Sequence, residues 1–181
     1  MPDTRAVFGL LVLLTTAGCA DDPAAFSLEF AATDAGQPVD CGTTMAGLGP
    51  DGAYSAGLSD LRFYVSNVQF FDADGEAVAL TLDENDFQYS SDAGQVSLID
   101  LTGNSEGSCA ASAISSSEGT ERVNTAVTGT TMVEDVVTVS FDVGVPQALM
   151  KEVIGSTSAE AAPSPLNEMY WSWAMGYRHL V

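Results

Sequence analysis

The alternation of apolar and polar side chains is the dominant pattern along this chain, and it predicts β-strands rather than helices. The strongest strand signal spans residues 60–70. Within it, the apolar positions change parity between Val65 and Val68. A change of parity indicates that the strand is interrupted, so the pattern predicts a bulge or a bend near Ser66 and Asn67.

Shorter runs with the same alternation predict further strands, at residues 26–30, 78–82, 96–101 and 137–143. A hairpin turn is predicted at residues 72–75, and a short helix at residues 147–154, directly after a proline. Residues 45–57 and 103–121 are rich in Gly and other small or polar side chains and are predicted to be loops. These elements indicate an all-β fold, either an antiparallel β-sandwich or a partly open barrel, with long loops.

The segment from Glu168 to His179 contains both tryptophans and the histidine of this chain. If the segment is a single strand, its odd-numbered side chains share one face, namely Met169, Trp171, Trp173, Met175, Tyr177 and His179. Thioether and imidazole groups are soft to borderline ligands that favour copper over hard cations. Two alternatives stay open. The Met and Trp side chains could fill the core of a β fold, or Gly176 could break the strand.

The acidic composition restricts the partners of this chain. Five basic residues stand against 25 acidic ones, which gives a net charge of −20. Nucleic acid is a poor partner, because phosphate binding needs Lys and Arg. The acidic residues are spread along the chain, which is typical of solubility in a salty medium or of attraction for cations. The 181 residues, 46% of them apolar, fit one domain with its own core.

The N-terminal residues predict export. Residues 6–14 form an apolar run behind Arg5 that is too short to span a bilayer and fits the core of a signal peptide. The run leads to Thr-Ala-Gly-Cys at residues 16–19, which resembles a bacterial lipobox with Cys19 as the lipidated residue. An ordinary secretory signal is the alternative. The expected layout is a signal peptide ending in the lipobox cysteine, a tether and a β domain, at residues 1–19, 20–25 and 26–181.

Lipidation of Cys19 would leave Cys41 and Cys109 as the remaining cysteines. Two cysteines in an oxidising compartment predict a disulfide. The bond would close a loop of roughly 70 residues, which the chain-entropy relation values at about 4 kcal/mol. A cysteine-based metal site is the alternative, although the sequence has no CxxC motif and no His beside either cysteine.

Catalytic motifs are absent from the sequence. It contains no GxSxG, no P-loop and no zinc-ligand spacing. A Ser-His-Asp hydrolase would have to use His179, because no other histidine is present. We therefore predict that the protein is not an enzyme.

Several separated motifs occur together in the order found in one protein family. They are residues 60–68, 96–100 and 141–146, the Cys41 and Cys109 pair, Asn124, and residues 165–178. The last of these, with its Trp-Ser-Trp core, is the most specific. Together the motifs resemble the MbnP-like copper-binding proteins, which are known beside methanobactin operons and more widely in bacteria. The resemblance covers residues 26–178.

The resemblance implies a copper-binding β-sandwich in the periplasm or on the outer-membrane surface. It also implies a partner, the dihaem cytochrome c peroxidase MbnH, which oxidises a tryptophan of the protein to kynurenine. Trp171 and Trp173 are the tryptophans of this chain, and either one fits that role. Ring opening would provide an aniline nitrogen and a ketone, groups that can be directed at a metal and that indole lacks.

The sequence departs from the family pattern at two places. Met150 lies in a Leu-Met-Lys stretch where members often have Leu-Asn-His, so it joins Met169, Met175 and His179 as a candidate copper ligand. Members usually continue beyond the aromatic segment, residues 168–179, so we expect a domain shortened at its C-terminus. The competing hypothesis is a lipid-anchored structural or interaction module without metal, in which the aromatic segment belongs to the core.

Overall fold

The computed structural model describes residues 11–15, 23–102, 109, 123–132, 135–158, 161–172, 176–177 and 180, with the backbone alone at 11–15 and 171–172. In chain order, the strands are β1 Leu11–Thr15, β2 Ala24–Glu29, β3 Thr33–Asp34, β4 Gln37–Pro38, β5 Thr44–Leu48, β6 Tyr54–Gly57, β7 Arg62–Phe71, β8 Ala77–Val78, β9 Leu80–Leu82, β10 Gln88–Ser91, β11 Gly94–Asp100, β12 Ala126–Thr131, β13 Thr138–Val143, β14 Tyr170–Ser172 and β15 Gly176–Tyr177. The helix α1 is Gln147–Ser156.

Two antiparallel sheets form the body of the domain. The first has the strand order β1-β2-β12-β9. The second has the order β10-β11-β7-β13, and β8 also pairs with β7. Three further strand pairs, β3-β4, β5-β6 and β14-β15, are separate two-stranded ribbons. The predicted all-β antiparallel fold is confirmed, and its sandwich form is the one observed.

The core has two parts because the second sheet is covered on both faces. The inner core lies between the sheets, where Phe26 of β2 meets Phe70 of β7 edge to face at 4.7 Å between ring centroids. The outer core lies on the opposite face of β7 and β11, beneath α1 and the aromatic segment; its buried members include Tyr64, Val96, Leu98, Leu149, Val153, Leu166, Met169, Tyr170 and Tyr177. Strand β7 therefore supplies side chains to both parts.

The predicted bulge in β7 is confirmed. Asn67 has a φ of 51°, in the left-handed region. Opposite it, Ser140 pairs with Gln69 and Asp142 pairs with Ser66, so two residues of β7 face one residue of β13. An Asn side chain tolerates this backbone conformation better than most residues do. The bulge keeps the apolar side chains before and after it on the inner face.

Two local predictions were wrong. Residues 45–57 form the β5-β6 ribbon instead of a loop, because Gly49 and Gly52 adopt positive φ angles and form the turn between the two strands. The expected strand 78–82 is divided: β8 pairs with β7, whereas β9 pairs with β12 of the other sheet. The chain changes sheets at Ala79, a step that alternation alone does not reveal.

The N-terminal residues also form a strand. Leu11–Thr15 pairs antiparallel with β2, with Leu13 opposite Ser27. Part of the predicted signal-peptide core thus lies at the edge of the first sheet, and β2 begins at Ala24, inside the predicted tether. Cys19 lies outside the described residues, so its lipidation stays a prediction. Within the described part of the chain, no helix has the length and apolar character needed to span a bilayer.

Candidate functional site

The aromatic segment, residues 168–179, forms a hairpin, so of the two arrangements that the sequence left open, a single strand or a strand broken at Gly176, the broken one is observed. Tyr170 pairs with Tyr177 and Ser172 pairs with Gly176, with a register shift between the two pairs. Gly176 has a φ of 74°, which only glycine adopts without strain. The reversal interrupts the period of two on which a single shared face would depend.

The hairpin lies against helix α1, and Met150 and Ile154 are helix residues that reach it. A Cβ atom added to Gly176 would lie 2.8 Å from the sulfur of Met150 and 3.8 Å from the terminal carbon of Ile154. Met150 itself is half-buried at the edge of the outer core. The structure therefore brings one predicted copper ligand, Met150, directly onto the backbone of the aromatic hairpin.

The other predicted site residues are placed differently. Met169 is 2% exposed and packs in the outer core. Trp173, Met175 and His179 lie outside the described residues, as does the side chain of Trp171, whose backbone belongs to β14. Within the described part, no group of three or more His, Cys, Asp or Glu side chains could hold a metal ion. Of the predicted donors whose side chains the structure describes, Met150 lies beside the hairpin and Met169 lies in the outer core.

Three tyrosine rings anchor the base of the hairpin. The ring of Tyr177 meets Tyr170 at 5.3 Å and Tyr64 at 5.9 Å between centroids, both edge to face. The Tyr64 hydroxyl donates a hydrogen bond of 2.9 Å to the carbonyl oxygen of Pro165, and Met169 N donates to that hydroxyl at 3.4 Å. Burial raises the pKa of Tyr64 and of Tyr177, so both phenols are neutral at physiological pH. These contacts fix the hairpin on the central strand.

A buried charge network, which sequence reasoning missed, lies beside this anchor. The guanidinium of Arg62, 1% exposed, bonds Asp60 through Nη2 at 2.8 Å and Nε at 3.0 Å. Its Nη1 lies 3.9 Å from Glu168, the residue that precedes Met169. Burial opposes the charged form of Arg62, but the hydrogen bonds and negative charge of Asp60 outweigh it and raise the Arg62 pKa. The spacing of two between Asp60 and Arg62 was the signal available, since it places both on one face of a strand.

Asp100 pairs with Arg62 across the β11-β7 ladder, and from there the network continues to the disulfide. Asp100 is 1% exposed and accepts hydrogen bonds from Thr102 N at 3.0 Å and Thr102 Oγ1 at 2.6 Å. Burial raises the pKa of Asp100, and the Thr102 hydrogen bonds oppose this effect in part. The carbonyl oxygen of Thr102 in turn contacts the sulfur of Cys41 at 2.7 Å. Buried polar groups thus connect Cys41 with the start of the aromatic segment.

The predicted disulfide is confirmed. Cys41 and Cys109 are bonded, with their Cα atoms 5.3 Å apart and 68 positions apart in sequence. Cys109 is also held by a backbone hydrogen bond to Ser59, just before β7. A stable disulfide is typical of exported proteins, because reducing compartments keep thiols free.

Comparisons with known proteins agree with this architecture. Among curated proteins, none matches this chain. The solved structure of MbnP from Methylosinus trichosporium is similar, with a TM-score of 0.64 and 27% sequence identity over 88% of this chain. The match spans only 54% of that protein, about half its length. The family model of MbnP matches residues 23–181, which include every strand of both sheets except β1, and also the disulfide and the aromatic hairpin. This chain therefore belongs to the MbnP family.

Proposed function

We propose that this chain is an exported copper-binding protein without enzymatic activity of its own. The observation that carries the proposal is the family match over residues 23–181, together with a thioether, that of Met150, lying on the backbone of the hairpin that bears the tryptophans. The Cys41–Cys109 disulfide supports export. Residence in the periplasm or on the outer-membrane surface, with a lipid on Cys19 as membrane anchor, completes the proposal.

The copper ligands we propose are His179, Met175 and Met150, with Met169 as a fourth candidate. Imidazole and thioether groups suit copper and are poor ligands for calcium or magnesium. Met150 needs no rearrangement of the fold to serve, because its sulfur already lies beside Gly176. Met169 would have to leave the outer core, where it is 2% exposed, so its share in binding should be the smallest.

We further propose that Trp171 or Trp173 is oxidised to kynurenine by a dihaem cytochrome c peroxidase of the MbnH kind. Two equivalents of hydrogen peroxide cleave the pyrrole double bond of the indole, add two oxygen atoms and release two waters. Hydrolysis then removes the formyl carbon as formate, so that one oxygen atom replaces one carbon atom overall. The product carries an aniline nitrogen and a ketone, both of which can approach a bound copper ion.

Intact mass and metal content of co-expressed protein test the proposal. The chain is produced for export together with a haem-loaded peroxidase. The mass of the peptide containing Trp171 and Trp173 then shows whether one oxygen atom has replaced one carbon atom. Copper binding is measured by calorimetry, in parallel with calcium. Replacing Met150 by Leu should weaken copper binding, whereas replacing Met132, an exposed methionine beyond β12, should not. An unmodified peptide together with absent copper binding would refute the proposal.

A structural or interaction module without metal is the second candidate. The observation that favours it is the burial of Met169, Tyr170 and Tyr177 in the outer core, which gives the aromatic segment a packing role. This candidate requires that copper does not bind at a defined stoichiometry. It also requires that a change in the free energy of unfolding is the only effect of Met150→Leu. The calorimetry described above separates the two functions.

A further inference from the structure

A polar cleft lies on the outer face of the second sheet, on the half that α1 and the aromatic hairpin leave uncovered. Its volume is about 500 Å³, and it is lined by Asn67, Val68, Gln69, Gly94, Gln95, Ser140, Phe141 and Asp142. This volume falls within the range of roughly 300–1,000 Å³ that is common for small-molecule sites. None of the lining residues belongs to the copper and tryptophan site.

The strand order explains why polar side chains gather here. β7 lies between β11 and β13, so Gln95, Gln69 and Ser140 come from three neighbouring strands. Gln69 and Ser140 are direct partners across the β7-β13 ladder. At one end, Gly94 brings its backbone against Pro146, where a Cβ would lie 3.2 Å from the proline ring. The end of the cleft at Gly94 therefore adjoins the start of α1.

The β7 bulge gives the cleft a fixed polar corner. Asn67 adopts a φ of 51°, a conformation that side chains other than glycine seldom adopt. Its amide donates a hydrogen bond of 2.8 Å to Asp142 Oδ2 across the strand pair. Bulges of this kind commonly re-aim side chains beside functional sites, and a left-handed residue is a reason to look for one.

The lining chemistry defines the ligand class. The amides of Asn67, Gln69 and Gln95 each offer donors and an acceptor in one plane, an arrangement that matches neighbouring hydroxyl groups. None of the lining residues is basic, and Asp142 repels anions. One carboxylate is too few for a typical calcium site. The two large apolar side chains turn away: Val68 is buried in the inner core, and Phe141 packs on Phe30 at 5.5 Å.

We propose that this cleft binds an uncharged polyhydroxylated ligand, a mono- or disaccharide, held by Asn67, Gln69, Gln95, Ser140 and Asp142. The sheet supplies a rigid floor, so binding requires little ordering of the backbone. The site is separate from the proposed copper function, and either can fail without the other.

Saturation-transfer NMR with glucose, maltose and N-acetylglucosamine tests the proposal on the full folded chain. We expect transfer to at least one sugar, and an affinity reduced about tenfold or more in Gln69→Ala and in Gln95→Ala. Gln37→Ala, which removes an exposed amide on β4, is the matched control and should bind as the native chain does. Asn67→Gly keeps the left-handed backbone while removing the amide, and it too should bind more weakly.

Each outcome decides the proposal. Absence of transfer to all three sugars, with a folded chain confirmed by circular dichroism, overturns it. Transfer that persists unchanged in both glutamine variants also overturns it, because the contact would then lie elsewhere. Copper affinity measured on the same variants should match that of the native chain, which shows that the two sites are independent.

Discussion

Replacing Arg62 by Met is the most informative test of how the aromatic hairpin is held. The side chain is 1% exposed and bonds Asp60, which is itself 7% exposed, at 2.8 Å. Glu168, 5% exposed, lies 3.9 Å from the same guanidinium. Methionine fills much of the volume but leaves these carboxylates buried without their cation.

The expected loss follows from the burial of the partners. Removing one member of a buried ion pair typically costs about 3–5 kcal/mol, because the remaining charge is not solvated. A domain of this size has a total stability of about 5–15 kcal/mol, so the variant should be marginally folded at neutral pH. Lys151→Met removes an exposed cation from α1 and should change stability by less than about 0.5 kcal/mol.

The loss of free energy of unfolding in Arg62→Met should depend on pH in a defined direction. The pKa of Asp100 is raised above its ordinary value, first because of burial. A raised carboxyl pKa favours folding below the unfolded pKa, and this contribution is lost as the pH rises through the folded pKa. Loss of Arg62 raises the Asp100 pKa further. The Arg62→Met penalty should therefore be largest at neutral pH and shrink as the pH falls toward the range where Asp100 takes up a proton.

Urea denaturation followed by fluorescence measures both variants across this pH range. A loss of less than about 1 kcal/mol for Arg62→Met would show that the network contributes no more than an exposed ion pair. A loss that stays constant between acidic and neutral pH would refute the electrostatic explanation, and would leave packing as the cause.

Two further predictions concern the hairpin and the disulfide. Gly176→Ala should lower the free energy of unfolding by about 1–2 kcal/mol, because alanine disfavours a φ of 74°. Adding Met150→Ala should remove only the steric clash between the new Cβ and the Met150 side chain. Equal stability of Gly176→Ala and the native chain in urea would contradict this prediction. Replacing Cys41 and Cys109 by Ser should cost about 4 kcal/mol through the lost constraint on the unfolded chain. Thermal melts would show this loss, and ready thiol labelling of Cys41 in the native chain would refute the bond.

The sequence predicted those features that arise from local alternation and from simple pairing. The parity change in residues 60–70 located the bulge at Asn67, and the helix after Pro146 was found in nearly its full length. The cysteine pair followed from the export signal and from the number of cysteines. The bulge and the helix each depend on a few neighbouring residues, and the two remaining cysteines can pair in only one way.

Features that depend on tertiary contacts were not accessible in this way. The turn at Gly176 competes with a continuous strand, and the choice depends on Met150 and α1, which pack against it. Arg62 looks like a solvent-facing residue in sequence, and one of the carboxylates that surround it when buried, Glu168, comes more than a hundred residues later. The burial of Met169 likewise depends on distant residues of the outer core that pack around it.

The outer core has a consequence for the order in which the protein is made. Tyr64 is hydrogen-bonded to Pro165, 101 positions further along, and α1 and the aromatic hairpin all follow residue 146. Chains emerge N-terminus first and fold as they emerge. Both sheets can therefore assemble while Tyr64, Val96 and Leu98 still face water. Until the residues after Pro146 have been synthesised, this face of the second sheet stays exposed, and a chaperone would be expected to bind there.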